Sequence, residues 1–202
     1  GLVGSEMCIR DRILRKDESF QTPEVVMTYS DCGLNKMSQT YHKLYRTRLV
    51  RGFWRDRVRP VLCNNWEATA FNFNEEKILH IAKAAANLVV ELFVLDDGWF
   101  GKRDNDREGL GDWYVNIEKL PSGITGLAKK IKKMGMNFGL WIEPEMVNKE
   151  SELYKKHPDW VIHTPGRRMS QGRNQYVLDY SRAEVVLSLI HISEPTRPIS
   201  IS

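Results

Sequence analysis

The rhythm of apolar and polar positions changes at Pro60. Beyond it, Val61-Leu62-Cys63 is a short apolar run that ends at the polar cluster Asn64-Asn65-Trp66-Glu67. Ile78, Ile81, Ala82, Ala85, Leu88 and Val89 then recur at offsets of three and four, which predicts a helix over 75–90 with Asn74 as its N-cap. Leu92-Phe93-Val94-Leu95 is a near-continuous apolar strand, the pattern of a parallel strand covered on both faces, and it ends at Asp96-Asp97-Gly98-Trp99. A second helix is predicted over 124–134, with Ser122 as a cap and Gly135 as its stop. Phe138-Gly139-Leu140-Trp141-Ile142 reads as a third strand ending at Glu143-Pro144-Glu145. A short helix over 151–157 precedes Pro158, and Tyr176-Val177-Leu178 reads as a fourth strand closed by Asp179.

Strands alternating with helices at this spacing are βα units, which implies a parallel sheet. Each strand also ends in carboxylates, amides or tryptophan. In parallel α/β sheets, and in the (β/α)8 barrel above all, the C-terminal strand ends and the loops after them build the active site. No GxGxxG or GxxxxGKS/T follows any strand, so nothing cradles a phosphate. A doubly wound sheet is the alternative, and the barrel is favoured over it: the expected fold is α/β, with residues 59–186 forming the N-terminal half of a (β/α)8 TIM barrel.

The stretch before Pro60 has a different texture. Val25-Val26-Met27-Thr28-Tyr29 is strand-like, Ser30-Asp31-Cys32-Gly33 reads as a turn, and RTRLVRGFWRDRVR is dense in arginine. Phe53, Trp54 and Asp56 interrupt the arginines, which favours a solvated or interdomain face over a nucleic-acid surface. Residues 13–58 are read as the tail of a preceding domain plus a linker.

Composition narrows the class. The chain has 202 residues, 42% hydrophobic, 28% charged and 10% aromatic, and no apolar stretch approaches the roughly 18 residues of a membrane span. Disordered, collagenous and membrane-spanning readings fall away. The net charge of +4 is small and dispersed, so charge alone argues for no nucleic-acid partner. Cys8, Cys32 and Cys63 show no CxxC spacing and suggest neither a disulfide framework nor a zinc site. GLVGSEMCIRDR at 1–12 and LSLIHISEPTRPISIS at 187–202 resemble translated sequencing-adapter sequence and are set aside from fold reasoning. No basic segment leads into an apolar run, so no secretory signal is read, and a cytoplasmic location is expected.

Several residues could carry chemistry. Asp96 and Asp97 are adjacent, so in extended chain they point to opposite faces and make a poor acid/base pair. Two carboxylates at a strand tip beside Trp99 are better suited to accepting hydrogen bonds from sugar hydroxyls while an aromatic ring covers an apolar sugar face. Glu143 and Glu145, at i and i+2, fall on one face of an extended chain, and periodicity alone nominates them as an acid/base or nucleophile pair. Asp104, Asn105, Asp106 and Gly109 miss the calcium-loop pattern and read as a solvated loop. The five histidines are scattered and have no ligand partners, so no metal site is expected.

NNWEATAFNF at 64–73, ELFVLDDGWFGKRDNDREGLGDW at 91–113, MNFGLWIEPEMVN at 136–148 and GRNQYVLD at 172–179 together resemble the bacterial α-galactosidases of glycoside hydrolase family 36. Residues 29–62 resemble the stretch where that family's N-terminal β-sandwich hands over to its catalytic barrel, and the likeness covers residues 20–186. It implies that Asp96 and Asp97 hydrogen-bond the 4- and 6-hydroxyls of a terminal galactose, that Trp66 and Trp141 line the sugar pocket, and that Arg173 contributes to it. Glu143 and Glu145 are not the family's catalytic pair, and the resemblance makes them scaffold.

The family works by a retaining mechanism with two aspartates, the nucleophile in a Lys-Trp-Asp type motif on a later strand. Neither that motif nor the acid/base residue matches anything here, so both are expected beyond residue 186. The implied activity of a full-length gene product is release of terminal α-linked galactose from oligosaccharides such as melibiose and raffinose, with no cofactor or metal. Family members often form homo-oligomers. Galactosyl transfer of the raffinose or stachyose synthase type, and a non-catalytic galactose-binding remnant, are the alternatives. A half barrel leaves sheet edges and apolar faces uncovered, so the 202-residue chain alone is expected to be poorly soluble or molten.

Overall fold

The computed structural model describes residues 14–169 and 171–193, with the backbone alone for 191–193. The chain divides into two compact units, Gly1–Val58 and Arg59–Ser202.

In the first unit, helix α1 (Gly33–Leu44) runs into a π-helical turn, Tyr45–Leu49. Tyr41 stacks on Tyr45 and its hydroxyl donates to the Val26 carbonyl at 3.0 Å. No residue of 14–58 is buried. The strand expected at Val25–Tyr29 does not form: a strand needs a partner for its backbone groups, and residues 14–58 contain none. The arginine-rich stretch is exposed, with Arg55 paired to Asp56 at 2.8 Å and Arg57 lying over the Phe53 ring.

The second unit holds the core. Strand β1 (Leu62–Asn64) is followed by the helical turn α2 (Trp66–Thr69) and by α3 (Glu75–Asn87). Strand β2 (Leu92–Leu95), α4 (Gly123–Lys133) and β3 (Asn137–Leu140) complete two βαβ steps. The three strands are parallel in the order β1-β2-β3, with Phe93 paired to Cys63 on one side and Phe138 on the other. Ile78, Ala82 and Ala85 of α3 and Leu127 and Ile131 of α4 are buried, at the spacing that turns one helical face to the sheet. Asn74 caps α3, accepting from the Lys77 amide at 2.9 Å.

Ser122 does not cap α4 in the expected way. Its amide and hydroxyl donate to the Glu75 carboxylate at 2.8 and 2.7 Å, and Lys130 pairs with the same carboxylate. The starts of α3 and α4 are thereby fastened to each other.

After β3 the pattern departs from expectation. Strand β4 (Met146–Asn148), helix α5 (Glu152–Lys156), a 3-10 turn (Pro158–Trp160), strand β5 (Gln175–Val177) and helix α6 (Ala183–Ser193) follow. The expected fourth strand does not extend the parallel sheet: β5 pairs antiparallel with β4, placing Asn148 opposite Gln175. Only a turn separates β3 from β4, too short for the helical crossover that a parallel neighbour requires, and β5 takes β4 rather than β3 as its partner.

Helix α6 also runs through Leu187–Ser193, part of the adapter-like C-terminal stretch. Val185 and Leu189, four residues apart, are both buried and give it an apolar stripe. Residues 1–12 and 194–202, the rest of the adapter-like ends, lie outside the described residues.

Candidate functional site

Parallel order places the C-terminal ends of β1, β2 and β3 side by side, so the polar residues just past each strand meet at one end of the sheet. Asn64, the last residue of β1, gives its amide to Asp96 Oδ2 at 2.8 Å, and its own Oδ1 accepts from the Trp66 amide at 3.1 Å. Asn65 is fully buried and its Oδ1 accepts from the Asp96 backbone at 2.9 Å. Asp96, half-buried, accepts from the Asp97 amide as well. Its orientation is therefore set from two strands.

Asp97 is more deeply placed, 6% exposed, and bound on both oxygens by Arg103. Nε lies 3.0 and 3.2 Å from Oδ1 and Oδ2, and Nη2 lies 2.8 Å from Oδ2. Arg103 itself is 1% exposed. Its third nitrogen, Nη1, donates to the Glu108 carbonyl at 2.9 Å and to Asn148 Oδ1 at 2.8 Å.

Trp66 is half-buried and packs edge-on against Phe71. Trp141 follows β3, is half-buried, and keeps the ladder going by donating its amide to Leu95 at 2.9 Å. Its carbonyl accepts from Trp99 Nε1 at 2.9 Å. Trp99, Phe100, Trp113 and Trp141 form one aromatic cluster, with Phe100 and Trp141 stacked nearly parallel.

Arg173 comes from elsewhere. It occupies the two-residue loop Arg173-Asn174, closed by reciprocal backbone bonds between Gly172 and Gln175 at 3.2 and 2.9 Å. Both loop residues have positive φ, 52° and 61°, the geometry of a type I′ turn. Asparagine tolerates that region and arginine rarely adopts it. The Arg173 side chain is exposed, yet its charge acts on Glu143, past the end of β3.

The Glu143 and Glu145 pair lacks the extended geometry that nominated it. The chain turns at Pro144-Glu145, so the two do not alternate along a strand. Burial first, then the Glu145 charge, pushes the Glu143 carboxyl above its ordinary range, while Arg173 and Arg103 pull it back. Asp104, Asn105 and Asp106 are exposed, and no group of three or more metal-ligating side chains occurs among the described residues.

Sequence reasoning misses three residues of this region. Arg103 sits in KRDNDRE, a segment that reads as solvated; the available signal is the need of a strand-tip aspartate for a nearby counter-charge. Asn148 is fully buried and uses both ends of its amide, accepting from Leu110 at 3.0 Å and donating to the Asn174 carbonyl at 2.9 Å. Lys119 donates to the carbonyls of Phe71, Gly98 and Arg103 at 3.1, 3.1 and 3.2 Å, joining the loops after β1 and β2. A cavity of about 630 Å³ at the starts of α3 and α4, lined by Glu75, Ser122 and Lys130 among others, contains none of the candidate sugar-binding residues.

Set against known proteins, residues 19–195 match the family model described as Melibiase. An α-galactosidase of Geobacillus stearothermophilus, AgaA, is 68% identical over 173 residues, 86% of this chain and 24% of that protein. An α-galactosidase of Lactobacillus acidophilus is 55% identical over 85% of this chain and 24% of its own length. The chain spans about a quarter of the length of the curated relatives it matches. Among solved structures, the GH36 α-galactosidase AgaB of Geobacillus stearothermophilus superposes with a TM-score of 0.83 at 67% identity, covering 88% of this chain and 25% of that one. A substituted AgaA in complex with raffinose superposes at 0.81 and 67% identity, over 86% of this chain and 24% of that one. The parallel sheet with its helices is thus the N-terminal part of a (β/α)8 barrel.

Proposed function

The chain belongs to the melibiase family, and from that premise we propose that it is part of a retaining glycoside hydrolase releasing terminal α-linked galactose from oligosaccharides such as melibiose and raffinose. Residues 59–186 supply half of the sugar pocket. Asp96 and Asp97 accept hydrogen bonds from the 4- and 6-hydroxyls, Trp66 and Trp141 line the ring, and Arg173 donates from the loop before β5. The axial 4-hydroxyl distinguishes galactose from glucose, so two fixed carboxylates at that point confer specificity as well as affinity. The nucleophile and the acid/base come from beyond residue 186. They must stand roughly 5–5.5 Å apart for retention.

The observation that carries this reading is the placement of Asp96 and Asp97 at the tip of the central strand, between Trp66 after β1 and Trp141 after β3. A stabilised carboxylate pair framed by aromatic rings fits a polyhydroxylated ring with one apolar face. Raffinose as a substrate class is supported by the raffinose-bound relative. The bacterial relatives support a bacterial enzyme; a cytoplasmic location and homo-oligomeric assembly belong to the proposal.

The decisive experiment is to express the protein at the length of its relatives and assay p-nitrophenyl α-galactoside beside the 202-residue chain. Turnover by the long protein alone, lost in Asp97→Ala, is the expected result. Turnover by the short chain would overturn the assignment and return Glu143 and Glu145 as the pair to examine. Galactose binding with no turnover at either length would leave a sugar-binding module instead.

A further inference from the structure

The Asp97 carboxylate is held by Arg103, and Arg103 is itself held by other partners. The Arg103 guanidinium lies along its carboxylate with contacts of 2.8 to 3.2 Å, and the same guanidinium reaches Asn148 at 2.8 Å. Asn148 then donates to the carbonyl of Asn174, whose neighbour is Arg173. One hydrogen-bonded line therefore runs Asp97–Arg103–Asn148–Asn174, from the tip of β2 through β4 to the hairpin loop before β5. We propose that Arg103 is a positioning residue for sugar recognition, fixing the Asp97 carboxylate, and that Asn148 extends this control to the Arg173 loop. This inference rests on the galactose-binding reading given above.

The chemistry of the pair supports a role beyond holding the fold. Burying two charges carries a large desolvation cost, and well-packed apolar side chains commonly do as well or better for stability. What an ion pair supplies and an apolar pair cannot is an ionised acceptor in a set direction. A carboxylate offers about four lone-pair positions. The guanidinium fork occupies those facing it, which leaves the others for a hydroxyl. Lysine would not serve as well, because its ammonium is a point donor whereas the planar fork fixes both oxygens at once. The guanidinium carbon stands 5.4 Å from the centre of the Phe71 ring.

The experiment uses the protein at the length of its relatives and reads a ratio: kcat/KM for p-nitrophenyl α-galactoside over that for its 4-deoxy and 6-deoxy analogues. The unaltered enzyme should prefer the hydroxylated substrate by on the order of 100-fold or more, since a site built to bond a hydroxyl rejects the analogue lacking it. Asp97→Asn should collapse the ratio for the hydroxyl that Asp97 receives. Arg103→Lys should collapse the same ratio, by at least about tenfold, while the other deoxy ratio holds.

A purely structural Arg103 would instead lower the melting temperature and all three kcat/KM values together, leaving the ratios intact, which overturns the proposal. Should Asp97→Asn leave both ratios unchanged, the sugar-binding reading itself has failed, and the inference goes with it. If Arg103→Lys does not fold, Asn148→Ser decides: it frees one end of the guanidinium, and a fall of about two- to tenfold in the Asp97-linked ratio is expected. An unchanged ratio in a folded Asn148→Ser protein overturns the proposal.

Discussion

The loop after β2 and the segment before β5 bring sugar-binding candidates to the site by opposite means. Between 96 and 113, Asp97, Trp99, Phe100, Arg103 and Trp113 are buried, and Arg103 and Lys119 tie the loop's carbonyls and carboxylates together. Between 162 and 174 every described residue but the half-buried Met169 is exposed. There Arg173 is presented from a tight turn whose anchor outside the hairpin is a bond from Asn148. The proposed acceptors are fixed in a packed scaffold, and the proposed donor is offered from the surface on a strained backbone. Selectivity for one hydroxyl configuration demands the first arrangement. A charged donor with a long side chain can function from the second.

Removing a charge from the packed side should do the most damage. Asp97→Ala leaves Arg103 buried without its counter-ion, and the expected loss is about 3–5 kcal/mol in denaturant unfolding together with loss of turnover. An unfolding midpoint within error of the unaltered protein would break the contrast between the two regions.

Arg173→Gly should separate binding from stability. Glycine relieves the left-handed residue, so the protein should be unchanged or up to about 1 kcal/mol more stable. Losing a charged hydrogen bond to the sugar should weaken it by about 10- to 100-fold, seen as a higher KM. A variant that loses stability would show that the hairpin depends on the arginine for its shape.

Ser151→Ala probes how far the packed scaffold extends. Ser151 is fully buried, caps α5 by accepting from the Tyr154 amide at 3.0 Å, and stands beside Asp112, which accepts from the amides of Glu152 and Leu153. Burial lifts the Asp112 carboxyl above its ordinary range despite those bonds. The substitution should cost about 1 kcal/mol by thermal unfolding, with kcat/KM unaffected.

The smallest effect is expected at Glu143, which feels both regions. Its carboxyl is raised, so the folded state favours the protonated form, and that contribution is present at low pH and lost as pH rises through the folded value. Glu143→Gln should therefore raise the melting temperature slightly near neutral pH. The gain should vanish in acid, below the ordinary carboxylate range; a gain equal in both conditions would contradict the sign.

Much of the scaffold is legible from the sequence, because β1, α3, β2, α4 and β3 each carry the period of their class and a clear stop. Val25–Tyr29 misleads because β-branched composition specifies a strand only where a partner exists. Tyr176–Leu178 is correctly read as strand but not as a parallel one, since its partner is β4 (Met146–Asn148), a strand the pattern of apolar positions does not bring out. The strand-tip aspartates stand out as a motif. Arg103 and Asn148 do not, because a charged residue among charges reads as solvated, and a lone asparagine bonding four groups from distant segments has no local pattern.

The distances along the chain within that bonded line have a kinetic meaning. Asp97 and Arg103 are six residues apart, whereas Arg103 and Asn148 are 45 apart. Closing the short loop sacrifices little chain entropy, so the ion pair can assemble as soon as β2 is in place, well before β4 arrives. On that expectation Asn148 docks later, onto a guanidinium already paired. Destabilising changes at Asn148 should accordingly quicken unfolding and leave the folding rate nearly untouched, as for contacts made after the transition state.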